Sequence, residues 1–253
     1  MTGQIEIQVL GLFLLFCRLG GCLLLAPGFA SPRVPMQIRL FVAVSMTAAV
    51  SPLLLPVVTQ NVEGLPQNVQ ILLIPQETAI GILIGLMARC FLLALQFSAT
   101  AISNFIGLSG IPGIPLEEGD TGSPLATLVS TGAVTLIFAV GLHTELLNAV
   151  IDSYSVMPVG SQLSAEMFLS NFLRTLAETW FLALRLSAPF LLYGVVVNFA
   201  LGMGNRFAQQ ISIYHSTTGA VMLGGFLLLY LVWIDFASVF TDSYRSWLLE
   251  GGF

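Results

Sequence analysis

Residues 76–108 read QETAIGILIGLMARCFLLALQFSATAISNFIGL. Thirty-three residues pass with only two charges, Glu77 and Arg89. As one helix the run is about 50 Å long at 1.5 Å per residue. A bilayer crossing needs about 20 residues. The stretch therefore decides two things at once: the chain lives in a membrane, and its helices are longer than an upright crossing requires.

Working outward, five more apolar segments appear, at about 5–26, 34–58, 124–154, 167–204 and 215–249. The last four of the six are over-long, so they must tilt, break or protrude. Pro189 should kink or break the fifth, because proline removes a backbone donor and clashes with the preceding turn. Composition agrees with a membrane class: of 253 residues, 56% are hydrophobic and 8% charged, against about 25% charged in soluble domains. The expected fold is an all-α membrane protein of about six long, tilted or broken helices.

The basic residues are eight arginines with no lysine, and the net charge is −5. That balance argues against nucleic acid, which calls for a basic stripe. Cys17, Cys22 and Cys90 have neither zinc spacing nor a disulfide framework, and read as small apolar packing residues. His143 and His215 lack a ligand partner at useful spacing, so no metal is expected. No nucleophile–base set or phosphate loop appears, and no cofactor or enzymatic activity is expected. The start, with Glu6 and no basic cluster, reads as a first helix that stays rather than a cleaved signal.

Between the third and fourth segments the chain runs FIGLSGIPGIPLEEGDTGSPLATLV, residues 105–129. The Gly-Ile-Pro repeats at 110–115 are apolar yet cannot hold a helix. Glu117, Glu118 and Asp120 follow almost together. Arg33 and Arg39 in the first connection and Arg206 in the fifth place those connections in the cytoplasm and both termini outside. By parity the acidic loop also faces the cytoplasm, against the rule. Irregular backbone at membrane depth is tolerated only when buried in protein or lining a cavity.

Arg18, Glu77, Arg89, Glu145, Glu178, Arg185 and Asp235 fall inside apolar segments. Each costs roughly 2.5–3.5 kcal/mol at a helix centre, so each should face protein or water. Three arginines against four acids favour ion pairs that fix packing, or contacts with other subunits, over an ion pathway. Glu178 and Arg185 are seven apart, about 10.5 Å in rise, too far to pair tightly within one helix. Gly81 and Gly85 form a small-xxx-small pair suited to close helix approach.

Several stretches together resemble the FliR family of flagellar biosynthetic proteins, the R/T-type subunits of type III export gates. CRLGGCLLLAPGFASPRVPMQIRLFVAVSMTAAVSPLLLP (17–56) is similar to the family's opening. ETAIGILIGLMARCFLLALQFSATAISNFIGLSG (77–110) resembles its long third helix. GLHTELLNAVIDSYSVMPVG (141–160) and LRLSAPFLLYGVVVNFALGMGNRFAQQISIY (184–214) resemble later helices, the second with its Asn205-Arg206 tip. The resemblance implies one copy of this chain in a helical hetero-oligomer with P-type and Q-type subunits, next to a B-type switch subunit. Unfolded flagellar proteins would pass through its centre. It implies a P-like part at 1–165, with a loop at 106–123 that plugs the pore, and a Q-like helical hairpin at 166–253. Phe105, Gly110, Ile111, Pro112, Gly113, Ile114 and Pro115 would form the plug, and Glu117, Glu118 and Asp120 its solvated return. The assembly would sit in the bacterial inner membrane within the flagellar basal body, projecting toward the periplasm. The chain departs from the family pattern at Ile111 and Ile114, where aromatic residues are common. The alternatives are the homologous subunit of a virulence secretion system and an independent secondary transporter.

Overall fold

The computed structural model describes residues 2–31, 34–108, 123–161, 165–207 and 213–250. Among them are seven α-helices and no strand: α1 (Thr2–Leu25), α2 (Met36–Val62), α3 (Gln67–Phe105), α4 (Pro124–Ala139), α5 (Leu142–Val156), α6 (Ala165–Phe207) and α7 (Ile213–Leu249). Five of these are long and apolar enough to cross a membrane, and α4 with α5 forms a sixth, broken candidate bent by 70°. The protein is thus an all-α membrane protein with over-long helices.

Among the described residues the over-long fourth segment is broken, between Ala139 and Leu142, whereas Pro189 does not break its helix. α6 runs through Pro189, and α3 begins nine residues earlier than the apolar run, passing through Pro75. α2 contains both Pro52 and Pro56. Hydroxyl groups repair part of the ladder that these prolines cut. Ser51 Oγ donates at 2.9 Å to the Ala48 carbonyl, the acceptor that Pro52 leaves without its usual donor. The real break lies at Gly141, whose left-handed backbone (φ 82°) precedes α5. Only glycine adopts that conformation without a steric penalty.

The chain divides into two compact units. The first holds Met1–Phe91, Ile137–Leu176 and Tyr244–Phe253; the second holds Leu92–Leu136 and Ala177–Ser243. In the first unit α2 buries Ala43, Thr47, Val50, Leu54, Val58 and Val62. Steps of three and four residues put these on one face. Val50, Leu54, Val58 and Val62 of that face join Leu14 and Leu15 of α1, Leu73 of α3, and Tyr154 and Val159 in one core cluster.

The approach of α1 to α3 is set by missing side chains. A Cβ on Gly81 would collide with the Arg18 carbonyl oxygen, and one on Gly85 with that of Cys22. A Cβ on Gly21 would stand 2.8 Å from the Thr78 carbonyl oxygen. The small-xxx-small pair therefore seats α3 directly on the α1 backbone.

In the second unit α3 and α6 run parallel. Phe97 meets Trp180 with centroids 5.6 Å apart, Ser98 Oγ donates to the Ala183 carbonyl at 3.2 Å, and Phe105 lies against Gly194. α6 and α7 form a helical hairpin. Tyr193, fourteen residues before the end of α6, donates its hydroxyl to the Val221 carbonyl at 2.6 Å, eight residues into α7.

Gly81→Ala should push α1 off α3, costing about 1–3 kcal/mol, and lower the midpoint of thermal unfolding in detergent. Gly132→Ala, inside α4 where an added methyl meets nothing within 4 Å, should not lower that midpoint and should raise it slightly, since alanine is the better helix former.

Candidate functional site: a loop footing and a buried arginine

The segment with Gly110, Ile111, Pro112, Gly113, Ile114, Pro115, Glu117, Glu118 and Asp120 lies outside the described residues. Its two ends do not. At the exit, half-buried Phe105 fills the space left by Gly194 on α6. Ile106, fully buried, presses on Gly225 of α7. A Cβ at Gly194 would come within 2.8 Å of the Phe105 ring. Gly107 then turns the chain out of the helix with φ 79°, the usual backbone of a helix C-terminus. At the return, Ser123 Oγ accepts from Ala126 N–H at 3.1 Å and caps α4. Pro124 occupies the first helical position, where its missing N–H costs nothing. The loop therefore leaves and re-enters through two well-defined helix ends.

Within the same unit, an open groove of about 650 Å³ is lined by Leu95, Leu128, Thr131, Gly132, Trp233 and Phe240, among others. Its walls are apolar. Thr131 turns its hydroxyl back to the Thr127 carbonyl at 2.8 Å, so the groove gains no free polar group from it.

The first unit contains the strongest electrostatic feature. Arg18 and Glu77 are both fully buried. Arg18 Nε donates to Glu77 Oε2 at 2.6 Å, and Nη2 to Oε1 at 2.9 Å. Nη1 donates to Ser153 Oγ at 3.0 Å, and Nη2 also to the Met157 carbonyl at 3.0 Å. The guanidinium lies 3.8 Å from the centre of the Tyr154 ring. This forked, two-point pairing is the geometry in which arginine surpasses lysine. It joins α1, α3 and the C-terminal end of α5, whose carbonyls are negative poles. One residue before Glu77, Gln76 Nε2 donates to the Ser161 carbonyl at 2.7 Å, holding the chain after α5.

The other charges in apolar segments are placed as follows. Glu145 pairs with Arg245 at 2.9 Å. Glu178 is half-buried, as is Arg89, which forms no ion pair among the described residues. Arg185 and Asp235 are exposed and likewise make none among the described residues. Asn205 and Arg206 are exposed at the end of α6. His143 packs against Phe138 with its ring tilted by 30° and centroids 5.0 Å apart, beside the bend at Gly141. Arg18 announced in the sequence that it needed a partner. Ser153, Tyr154 and Met157, and the Gly194 and Gly225 seats, gave no comparable signal, because each depends on a helix far away in sequence.

The arrangement defines a class: a helical membrane protein whose strongest polar contacts lock helices together and whose helix ends at 105–107 and 123–126 are firmly seated. A family model described as bacterial export proteins, family 1, matches residues 9–247, and the chain belongs to that family. It is 29% identical over 245 residues to the flagellar biosynthetic protein FliR of Caulobacter vibrioides, covering 95% of each chain. It is 26% identical over 198 residues to FliR of Escherichia coli (strain K12), covering 75% of this chain and 71% of the relative. With the Yop proteins translocation protein T of Yersinia pestis it shares 28% over 149 residues, 56% of each chain.

Arg18→Met should leave the Glu77 carboxylate buried and alone, and destabilise the protein by about 3–5 kcal/mol. The double variant Arg18→Met with Glu77→Met should recover roughly half of that loss or more. Unfolding midpoints of the single and double variants check the pair, and additive losses would contradict it.

Proposed function

We propose that this chain is a subunit of the flagellar type III protein export gate, non-enzymatic, forming part of the protein-conducting channel. The observation that carries the reading is family membership across residues 9–247, with FliR of Caulobacter vibrioides matched over 95% of its length. The flagellar system is favoured over a virulence system because the Yersinia protein is matched over only 56% of its length.

In this reading the chain sits in the bacterial inner membrane within the basal body. It assembles with P-type and Q-type subunits, a P-like part at 1–165 and a Q-like hairpin at 166–253 taking equivalent places. The B-type switch subunit and the exported unfolded chain are its other partners. The exposed Asn205–Arg206 end of α6 faces the cytoplasm, where basic residues are enriched. Helices longer than the bilayer would carry the complex toward the periplasm.

Gating would be steric. Gly110–Pro115 would plug the lumen, with Glu117, Glu118 and Asp120 as the wet return. An apolar constriction closes by dewetting and opens when a chain displaces it. The footing of Phe105 on Gly194 and Ile106 on Gly225 supports this, because a flap seals only if its base does not drift. Energy for export would come from other components.

Deleting residues 110–116 should leave the protein in the membrane and make it leak ions, measured as the collapse of an imposed ion gradient. Unchanged leakage together with unchanged export of flagellar proteins would sink the plug. A gene deletion that leaves flagellar filaments intact would sink the flagellar assignment.

A further inference from the structure

We infer that Tyr193 on α6 is a positioning residue for the loop that leaves α3: its hydroxyl sets the spacing of the two glycine seats on which the base of that loop stands. The inference rests on the reading of the loop as a plug, and it adds the part that keeps the plug in register. Phe105 and Ile106 are consecutive, about 3.8 Å apart at Cα, yet they are seated on different helices. Phe105 fills the space at Gly194 of α6, and Ile106 presses on Gly225 of α7. Both seats can be occupied at once only while α6 and α7 keep a fixed separation and register at this level.

Tyr193 is placed to fix both. It precedes Gly194 on α6, and its hydroxyl donates to the Val221 carbonyl of α7 at 2.6 Å. Val221 lies about one helical turn before Gly225, so the carbonyl that Tyr193 holds belongs to the turn that carries the second seat. The hydroxyl reaches it through a notch. A Cβ on Gly224 would stand 2.5 Å from the Tyr193 oxygen, so glycine leaves the room that the bond needs. On α6 the first seat is braced from within, where Asn198 Nδ2 donates to the Gly194 carbonyl at 2.8 Å. Phe105–Ile106 at the end of α3, Tyr193–Gly194 on α6 and Gly224–Gly225 on α7 therefore close on one another as three neighbouring pairs.

The bond does not serve a stranded carbonyl. Inside α7 the Val221 oxygen is the ordinary acceptor for the Gly225 N–H, four residues on. It keeps that partner when the phenol is absent, so no buried group is left unsatisfied. What the hydroxyl adds is distance and direction: a tie between the helices at the level where the loop departs. Tyr193→Phe removes the tie and keeps the ring and the backbone bonds of both helices. The substitution thus separates position from stability.

The test uses the full chain within its export apparatus in membranes. A nitroxide is attached at the loop exit through Leu108→Cys and, in a separate sample, on α4 through exposed Leu128→Cys. Cys17, Cys22 and Cys90 are buried and escape labelling. Tyr193→Phe should increase the mobility of the label at 108 several-fold and leave the label at 128 unchanged. Gly224→Ala should do the same, by pushing the hydroxyl off Val221, and should add nothing on top of Tyr193→Phe. An unmoved label at 108, equal loosening at 128, or additive effects of the two substitutions would overturn the inference. Ion leakage is read in parallel. Tyr193→Phe should raise it several-fold, no further than the deletion of 110–116 does, and should add nothing to that deletion. A deletion that leaks beside a Tyr193→Phe variant that does not would overturn the positioning role. A deletion that does not leak would remove the plug reading, and the labels would still decide whether Tyr193 sets the footing.

Discussion

Arg18 cannot reach water. Its side chain is fully buried, and an unpaired charge in such a setting would lose several kcal/mol of hydration. The first unit is organised around meeting that demand. Glu77 supplies two oxygens, Ser153 and Met157 supply two more acceptors, and Tyr154 lends the face of its ring. The acceptors come from helices far apart in sequence, so none can be satisfied until α1, α3 and α5 have found their register. A buried ion pair of this kind adds little net stability compared with apolar residues of the same volume. Its effect is selective: a slipped register leaves the arginine stranded.

The pair works only because the helices can come close. Gly21, Gly81 and Gly85 remove the side chains that would hold α1 and α3 apart. Without a hydrophobic force between helices in lipid, dispersion and hydrogen bonding must hold them, and both fall off steeply with distance. The second unit repeats the device at the base of the loop, where Gly194 and Gly225 accept Phe105 and Ile106. Glycine thus makes room for main chain at Gly81 and Gly85, and for an aromatic or β-branched side chain at Gly194 and Gly225.

Much of this architecture was legible in the sequence. The run at 76–108 announced an over-long membrane helix, and α3 is 39 residues long. The Gly81–Gly85 pair pointed to close approach, and Arg18 and Glu77 were singled out as charges that could not face lipid. Helix breaks were less legible. Pro189 is a strong local signal, yet α6 continues through it, because neighbouring helices and hydroxyls can support a ladder that lacks one bond. Gly141 is a weaker local signal, and there the chain bends by 70°. Local chemistry says where a helix may bend, and packing chooses among those places. Long-range pairing was not legible at all. Nothing in the sequence ties Arg18 to Met157 rather than to any other carbonyl, or Glu145 to Arg245 rather than to Arg89.

The glycine seats have an evolutionary consequence. Every missense change at a glycine codon adds atoms, and at Gly81 and Gly85 those atoms meet main chain. A crowded side chain can turn to another rotamer; a carbonyl of a packed helix cannot. No second-site change in a neighbouring side chain can restore the fit, and only a shift of the whole helix would do so. Along that shift the Arg18 contacts would be lost together. A change at the interface between α1 and α3 therefore has to move a helix rather than a side chain.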